Sequence, residues 1–319
     1  MNFQKYPSIE NSYREKFIRE IQNHPHFPFS KWQVTEKIHG SNFSFISDGN
    51  DVKIGKRSGF ADGSFYNCYE VLEKYRQNVL TLFNDLGLSF GNNISYIQLF
   101  GELFGPGVQK GVEYGGEKDF RLFDIVIKES DKESFFLSTD AVELMSVRHQ
   151  IPHVPIIESA VSFEEAMKVS PDFDSLILGK ENNKAEGVVI KPIFPMFLNS
   201  GSRIILKNKN EAYKEKANTP KPQKQENWSE SMNSVFNEML QYNTEERIRS
   251  AISKIGQITQ KDFGKLLGTV SHDLLEDWEK DYSYRDLSKN EIKVVNKQLN
   301  KEVSDLIRKN FVNIIDGVF

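Results

Sequence analysis

Six clusters of charged residues, each at the end of an apolar run, hold the chemistry this sequence can offer. The first is Glu36-Lys37-Ile38-His39-Gly40-Ser41-Asn42, where one strand pattern leads into a Lys-x-x-Gly turn and another departs. The second ends a strand in Lys56-Arg57 and a Ser-Gly turn, and a planar guanidinium there suits a phosphate. Glu102 closes the apolar run that begins at Tyr96, Phe123-Asp124 sets an acid inside an apolar strand, and Glu186 leads into Gly187-Val188-Val189-Ile190-Lys191. In the last cluster, 203–209, the strand period of two puts Lys207 and Lys209 on one face and Ile204 and Leu206 on the other. Taken singly, each cluster is an ordinary surface or core feature: a solvated lysine at a hairpin, a strand-end acid, a core phenylalanine.

The elements that must position these groups are short strands. Between residues 32 and 209 strand patterns are expected at 32–37, 42–47, 51–57, 95–103, 120–127, 134–137, 186–191 and 203–209, with helices near 66–86 and 163–169. This predicts an α+β first domain of mixed or antiparallel sheets with flanking helices. A polar stretch at about 213–225, with Pro220 and Pro222, breaks the pattern and reads as a linker closing a first domain of residues 1–225. Residues 226–319 then switch to helical periodicity: Trp228, Met232, Val235, Phe236, Met239 and Leu240 form one stripe. Thr244 caps a second helix that ends at Gly256, and Ser288-Lys-Asn-Glu291 is a capping box ahead of a long terminal helix. The second domain is therefore expected to be all helical.

Composition removes several function classes. The chain of 319 residues has one cysteine, Cys68, which excludes an internal disulfide and a cysteine-rich zinc site. A net charge of −4 excludes coating nucleic acid by bulk positive charge, and residues 226–319 hold 13 basic against 16 acidic side chains. No apolar run reaches the ~18 residues of a membrane span and the N-terminus has no apolar signal region, so a cytoplasmic protein without a membrane partner is expected. The glycine cluster 101–107 lacks a Gly-Lys-Ser/Thr ending, and neither Gly-x-Ser-x-Gly nor His-Glu-x-x-His occurs. His149 and His153 are four apart, but Pro152 between them breaks the helix that would align them on a metal.

The order of the six clusters is more telling than any one of them. Lys-x-x-Gly, Arg, Gly-Glu, Phe-Asp, Glu-Gly-x-x-x-Lys and Lys-x-Lys is the ordered motif series of the covalent nucleotidyltransferases, the polynucleotide ligases and mRNA capping enzymes. The wording Glu-Lys-Ile-His-Gly-Ser-Asn-Phe-Ser, Phe-Gly-Glu-Leu-Phe-Gly-Pro-Gly-Val-Gln-Lys and Lys-Asp-Phe-Arg-Leu-Phe-Asp-Ile resembles the phage RNA ligase 2 family, ATP-dependent enzymes that seal nicks in double-stranded RNA. The likeness runs from about Tyr6 to the last helix and includes 253–265, a stretch of that family's helical C-terminal domain.

The resemblance implies a nucleotidyltransferase (adenylyltransferase) domain in which Lys37 attacks the α-phosphate of ATP and becomes lysyl-AMP. A free lysine with pKa about 10.4 is neutral in only about one molecule in 2,500 at pH 7. Lys207 and Lys209 are expected to favour the neutral amine and to stabilise phosphoryl charge as it builds. The resemblance further places Phe123 on the adenine, Glu102 at the ribose, Glu36, Ile38 and Asn42 beside the nucleotide, and Glu186 on Mg2+ or Mn2+. Arg57, His39, Asn42 and Asp124 would serve the later steps, in which AMP passes to an RNA 5′-phosphate and the neighbouring 3′-hydroxyl displaces it. The implied partners are ATP and nicked duplex RNA recognised by shape, phosphates and 2′-hydroxyls, with a monomer expected. An ATP-dependent DNA ligase or a GTP-using capping enzyme shares the motif order, although the usual appendage of those enzymes is a β-barrel. From another class, a non-catalytic RNA-binding relative would use the same cleft. Labelling by ATP separates enzyme from binder, and nicked RNA against nicked DNA separates the enzymes.

Overall fold

The computed structural model describes residues 1–91, 93–130, 132–217, 222–285 and 287–319. They divide into two compact units, Met1–Ala212 and Tyr213–Phe319.

The first unit runs β1 (Glu10–Asn11), α1 (Glu15–Gln22), β2 (Trp32–Glu36), β3 (Ser41–Ser47), β4 (Val52–Lys56), β5 (Gly59–Phe60), α2 (Tyr69–Ser89), β6 (Ile94–Phe104), β7 (Asp119–Glu129), β8 (Phe135–Phe136), α3 (Thr139–Arg148), β9 (Ile156–Val161), α4 (Phe163–Lys168), β10 (Gly187–Pro192) and β11 (Leu206–Lys209). One sheet has the order β1-β11-β10-β2-β9 and is mixed, because β1 joins β11 in parallel while the other pairs are antiparallel. The other, β5-β4-β3-β6-β7-β8, is antiparallel throughout.

Strand alternation assigns the cores. Phe43, Phe45, Ile97, Leu99, Phe120 and Leu122 of the second sheet meet Val71, Leu72, Tyr75, Val79 and Leu82 of α2. Trp32, Val34, Val188, Ile190 and Leu206 of the first sheet meet Ile21 of α1 and Phe163 and Ala166 of α4. The remaining sheet faces enclose a smaller cluster of Tyr6, Phe100, Val126, Phe136 and Ile205. Along β2 all five residues are buried, because Trp32 and Val34 enter one core while Gln33 and Thr35 lie on the opposite face. The strand therefore alternates apolar with uncharged polar residues up to Glu36, and both kinds are buried.

Two elements escape periodicity. The helix α3 exposes Leu144 and Val147 and buries Thr139, Val142 and Ser146, so its apolar residues do not trace its core face. The strand β9 is an edge strand with little burial and a register shift against β2.

The second unit contains α5 (Glu230–Leu240), α6 (Glu245–Ile255), α7 (Phe263–Asp281) and α8 (Lys289–Ile315). Their stripes close on Val235, Phe236, Met239, Ile248, Leu266, Val270, Leu274, Trp278, Val295, Leu299, Val303 and Ile307. The caps expected at Thr244 and Ser288 form: Thr244 accepts from the Arg247 N–H, and Ser288 and Glu291 complete a reciprocal box. Of the stretch 213–225, residues 218–221, including Pro220, lie outside the described residues. Its described parts are tied to the helices, with the Ala217 N–H donating to Gln241 O, Gln223 N–H to Asn237 Oδ1 and Gln225 N–H to Asn233 Oδ1. No helix of the described residues is long and apolar enough to cross a membrane.

Candidate active site

The strand registers bring three chain segments to one end of the mixed sheet. Val188 pairs with Glu36 across β10-β2, and Gly187 pairs with Lys209 across β10-β11. Lys37, one residue past β2, donates its backbone N–H to Gly187 O at 2.8 Å, and the Asn210 N–H donates to Glu186 O at 2.9 Å. Backbone bonds thus fix Glu186 and Gly187 between the two neighbouring segments. Gly187 has φ +144°, and a Cβ there would lie 2.1 Å from Asn208 O, so this junction requires glycine.

Glu186 is the centre of the charge cluster. Lys37 Nζ donates to its Oε2 at 2.7 Å, His39 Nδ1 lies 3.2 Å from the same oxygen, and Lys209 Nζ is 2.9 Å from Oε1. Burial alone would raise its pKa, but Lys209 and Lys37, with His39 bonded to it, hold the carboxyl well below the usual range. Lys207 shares the β11 face of Lys209. Lys37 itself keeps about a fifth of its side chain exposed, while Glu186 keeps 5%. The amine is therefore the member of the pair that a ligand could reach.

The turn carrying His39 is pinned from outside. Its N–H donates to Tyr114 Oη at 2.7 Å, and Ile38 is buried beneath it. A Cβ on Gly40 would stand 2.2 Å from Leu103 O, so the Lys-x-x-Gly glycine is a close-packing requirement against β6. Asn42 lies opposite Glu102 in the β3-β6 ladder, and Glu102 lies opposite Arg121 in β6-β7. The pKa of half-buried Glu102 is pushed up to about 8 by desolvation; Lys37 pulls it down, Glu186 raises it, and Arg57 and Lys209 lower it further. Arg57 is anchored through Nη1 to Tyr6 O at 2.7 Å.

Phe123 owes its position to an irregularity. In β6-β7 Phe100 pairs with Asp124 and Gly101 with Leu122, so Phe123 is the unpaired residue of a bulge. It joins the inner cluster between the sheets, edge-on to Tyr6 at a centroid distance of 5.0 Å, and its carbonyl accepts from buried Lys191 Nζ.

Two of the expected residues have roles the sequence does not suggest. Glu36 is almost fully buried and accepts from Ser175 Oγ at 2.6 Å and from the Leu176 N–H at 2.8 Å, with burial raising its pKa. It fastens the loop after α4. Asp124, placed in the later steps by resemblance, is 0% exposed. Arg203 Nη1 and Nη2 donate to its two oxygens at 3.0 and 2.9 Å, Tyr6 Oη also donates to it, and Lys191 Nζ stands at 3.4 Å. Burial works against its charge, but Arg203 and Lys191 keep its pKa low. The side chain is a clamp joining β7 to β10 and the approach to β11. Tyr6, Tyr114 and Ser175 are site-supporting residues that neither strand pattern nor motif singles out, while Lys191 and Arg203, members of two of the charged clusters, act through Asp124. His149 and His153 turn to different partners, Asp85 and the Val154 carbonyl.

Comparison with known proteins follows this division. The RNA ligase family model matches residues 30–209, the segment that contains all of the charge cluster, and the T4 RNA ligase 2 C-terminal model matches residues 225–305 of the helical unit. Among solved structures, a Naegleria gruberi RNA ligase mutant with ATP and Mn is similar at 21% identity and a TM-score of 0.46 over 66% of this chain and 57% of that one. The Naegleria gruberi enzyme with PPi gives 23% and 0.46, over 66% and 57%. A further mutant with AMP and Mn gives 21% and 0.47, again over 66% and 57%. The chain thus spans under three-fifths of the length of these structures. Because the first match alone takes in more than half of the 319 residues and includes every motif of the charge cluster, this chain belongs to the RNA ligase family.

Proposed function

We propose that this protein is an ATP-dependent RNA ligase that seals 3′-hydroxyl/5′-phosphate nicks in duplex RNA as a monomer. The observation that carries the reading is the convergence of Lys37, His39, Glu186 and Lys209 at one sheet end, with the amine of Lys37 the more accessible partner of its ion pair.

In the first step the Lys37 nitrogen lone pair attacks the α-phosphorus of ATP, the bond to the bridging oxygen breaks, pyrophosphate leaves and the nitrogen gives up its proton. Lys207 and Lys209 face the charge that builds on the phosphate, and Phe123, aimed by its bulge, offers an aromatic face to the adenine. Glu102 is set to meet the ribose hydroxyls. In the second step an RNA 5′-phosphate oxygen displaces Lys37 from the α-phosphorus, and in the third the 3′-hydroxyl attacks that 5′-phosphate and AMP departs. Alignment and charge stabilisation dominate such transfers, so Arg57, His39 and Asn42 contribute by position.

A hard divalent cation prefers carboxylate oxygens, and Glu186 would supply them once Lys37 and Lys209, which engage its two oxygens, turn to the nucleotide phosphates. Bound there, Mg2+ or Mn2+ would shield phosphate charge and polarise a phosphoryl oxygen. The helical part, 226–319, is assigned to engaging the duplex, a reading supported by its match to the T4 RNA ligase 2 C-terminal model.

Incubation with ATP and Mg2+ followed by peptide mass spectrometry should find an added AMP on the peptide containing Lys37. Lys37→Ala should abolish it, and Lys37→Arg should fail as well because a guanidinium stays protonated. Modification elsewhere, or persisting in Lys37→Ala, would refute the assignment. Sealing of nicked RNA duplex over nicked DNA or free single strands should follow, and equal activity on all three would refute the substrate class.

A further inference from the structure

We infer that the outer flank of α8 is a phosphate-tracking ridge for the RNA duplex. This rests on the RNA-ligase reading above and assigns residues to it. Lys289, Lys293, Lys297 and Lys301 recur every fourth residue and all four are exposed. At about 1.5 Å per residue they form a slanting line of about 18 Å with steps of about 6 Å. None of them makes an ion pair among the described residues.

Two features separate this line from a solvated helix face. The acids of α8 are turned to other tasks: Glu291 closes the cap with Ser288, and Glu302 accepts from Gln298 and Gln223. Asp305 stands one turn beyond Lys301 without pairing to it among the described residues. The second feature is an unrelieved cost. Like charges four apart on a helix repel and weaken it, and here three such pairs follow one another, although residues 226–319 as a whole hold more acidic than basic side chains. An external polyanion relieves that repulsion. Lysines at regular steps along a rod match a backbone with a charge every few ångströms, and they carry no base readout, as expected for shape-and-phosphate recognition.

The test uses the full chain with Lys289, Lys293, Lys297 and Lys301 all changed to Gln, beside a second variant with all four changed to Arg. Gln has helix propensity close to Lys, so both variants should melt no lower than the parent. Binding to a nicked RNA duplex is measured against KCl concentration, with AMP labelling of Lys37 as the parallel readout. The Gln variant should bind at least about tenfold more weakly at low salt, and its log–log salt slope should be shallower by about two to four. The Arg variant should keep the parent's affinity, and labelling should be unchanged in both. A Gln variant with the parent's affinity and slope refutes the ridge while leaving the ligase reading intact. A parent that takes label but does not bind the duplex refutes both. Loss of binding to anionic vesicles with RNA binding unchanged would show that the ridge serves a lipid surface instead, and would overturn the proposal.

Discussion

Asp124→Asn decides whether that acid acts in chemistry or holds the site together. In the structure the carboxylate compensates two buried cations: Arg203 is bound through both terminal nitrogens and Lys191 stands at 3.4 Å, each with only 3% of its side chain exposed. An asparagine is nearly isosteric but leaves both cations without their counter-charge. Breaking a buried pair in this way costs about 3–5 kcal/mol. For a unit of this length each 1 kcal/mol shifts the melting temperature by about 2–4 °C, so the midpoint should fall by about 6–20 °C. Lys191 also holds the Phe123 carbonyl, so AMP labelling of Lys37 should weaken along with sealing. The assay pairs calorimetry with two kinetic readouts, self-labelling from ATP and sealing of RNA already adenylylated at its 5′ end. A variant that melts within about 2 °C of the parent, labels normally and loses only the sealing of pre-adenylylated RNA would refute the clamp and restore a direct role for Asp124.

Three further outcomes follow from the geometry. Burial, with Lys191 nearby, lowers the pKa of His153 to about 4, against the usual value near 6.5. The unfolded chain therefore binds this proton first on acidification, and stability should fall as pH drops from about 6.5 to about 4, by up to about 3 kcal/mol; His153→Asn should flatten that part of the stability–pH curve, and an unchanged slope would exclude this histidine as its source. Gly40→Ala drives a methyl group to 2.2 Å from Leu103 O, so it should cost at least about 1–3 kcal/mol and depress labelling of Lys37 by moving the turn; full labelling would show that the turn yields freely. A chain ending at Gln225 should still label itself with AMP but seal nicked duplexes poorly, and equal sealing would remove the helical part from RNA engagement.

How far the sequence carries can be traced residue by residue. The order of the six charged clusters, the strand runs that became β3, β4, β6, β7 and β10, and the caps at Thr244 and Ser288 are local properties, written within a few residues of where they act. Local sterics and hydrogen bonding suffice to make them legible. Tertiary structure alone decided the rest. Nothing near Phe123 announces the bulge; it arises because β6 and β7 pair in different registers on either side of it, turning both Phe123 and Asp124 inward where simple alternation would part them. The same holds for Arg203 on Asp124, Ser175 on Glu36 and Tyr114 on the His39 turn, contacts that join residues 79, 139 and 75 apart in the chain. A buried charge takes whichever partner the packed sheets deliver, because desolvation makes pairing obligatory without specifying the partner, and only the closed fold brings those partners within reach.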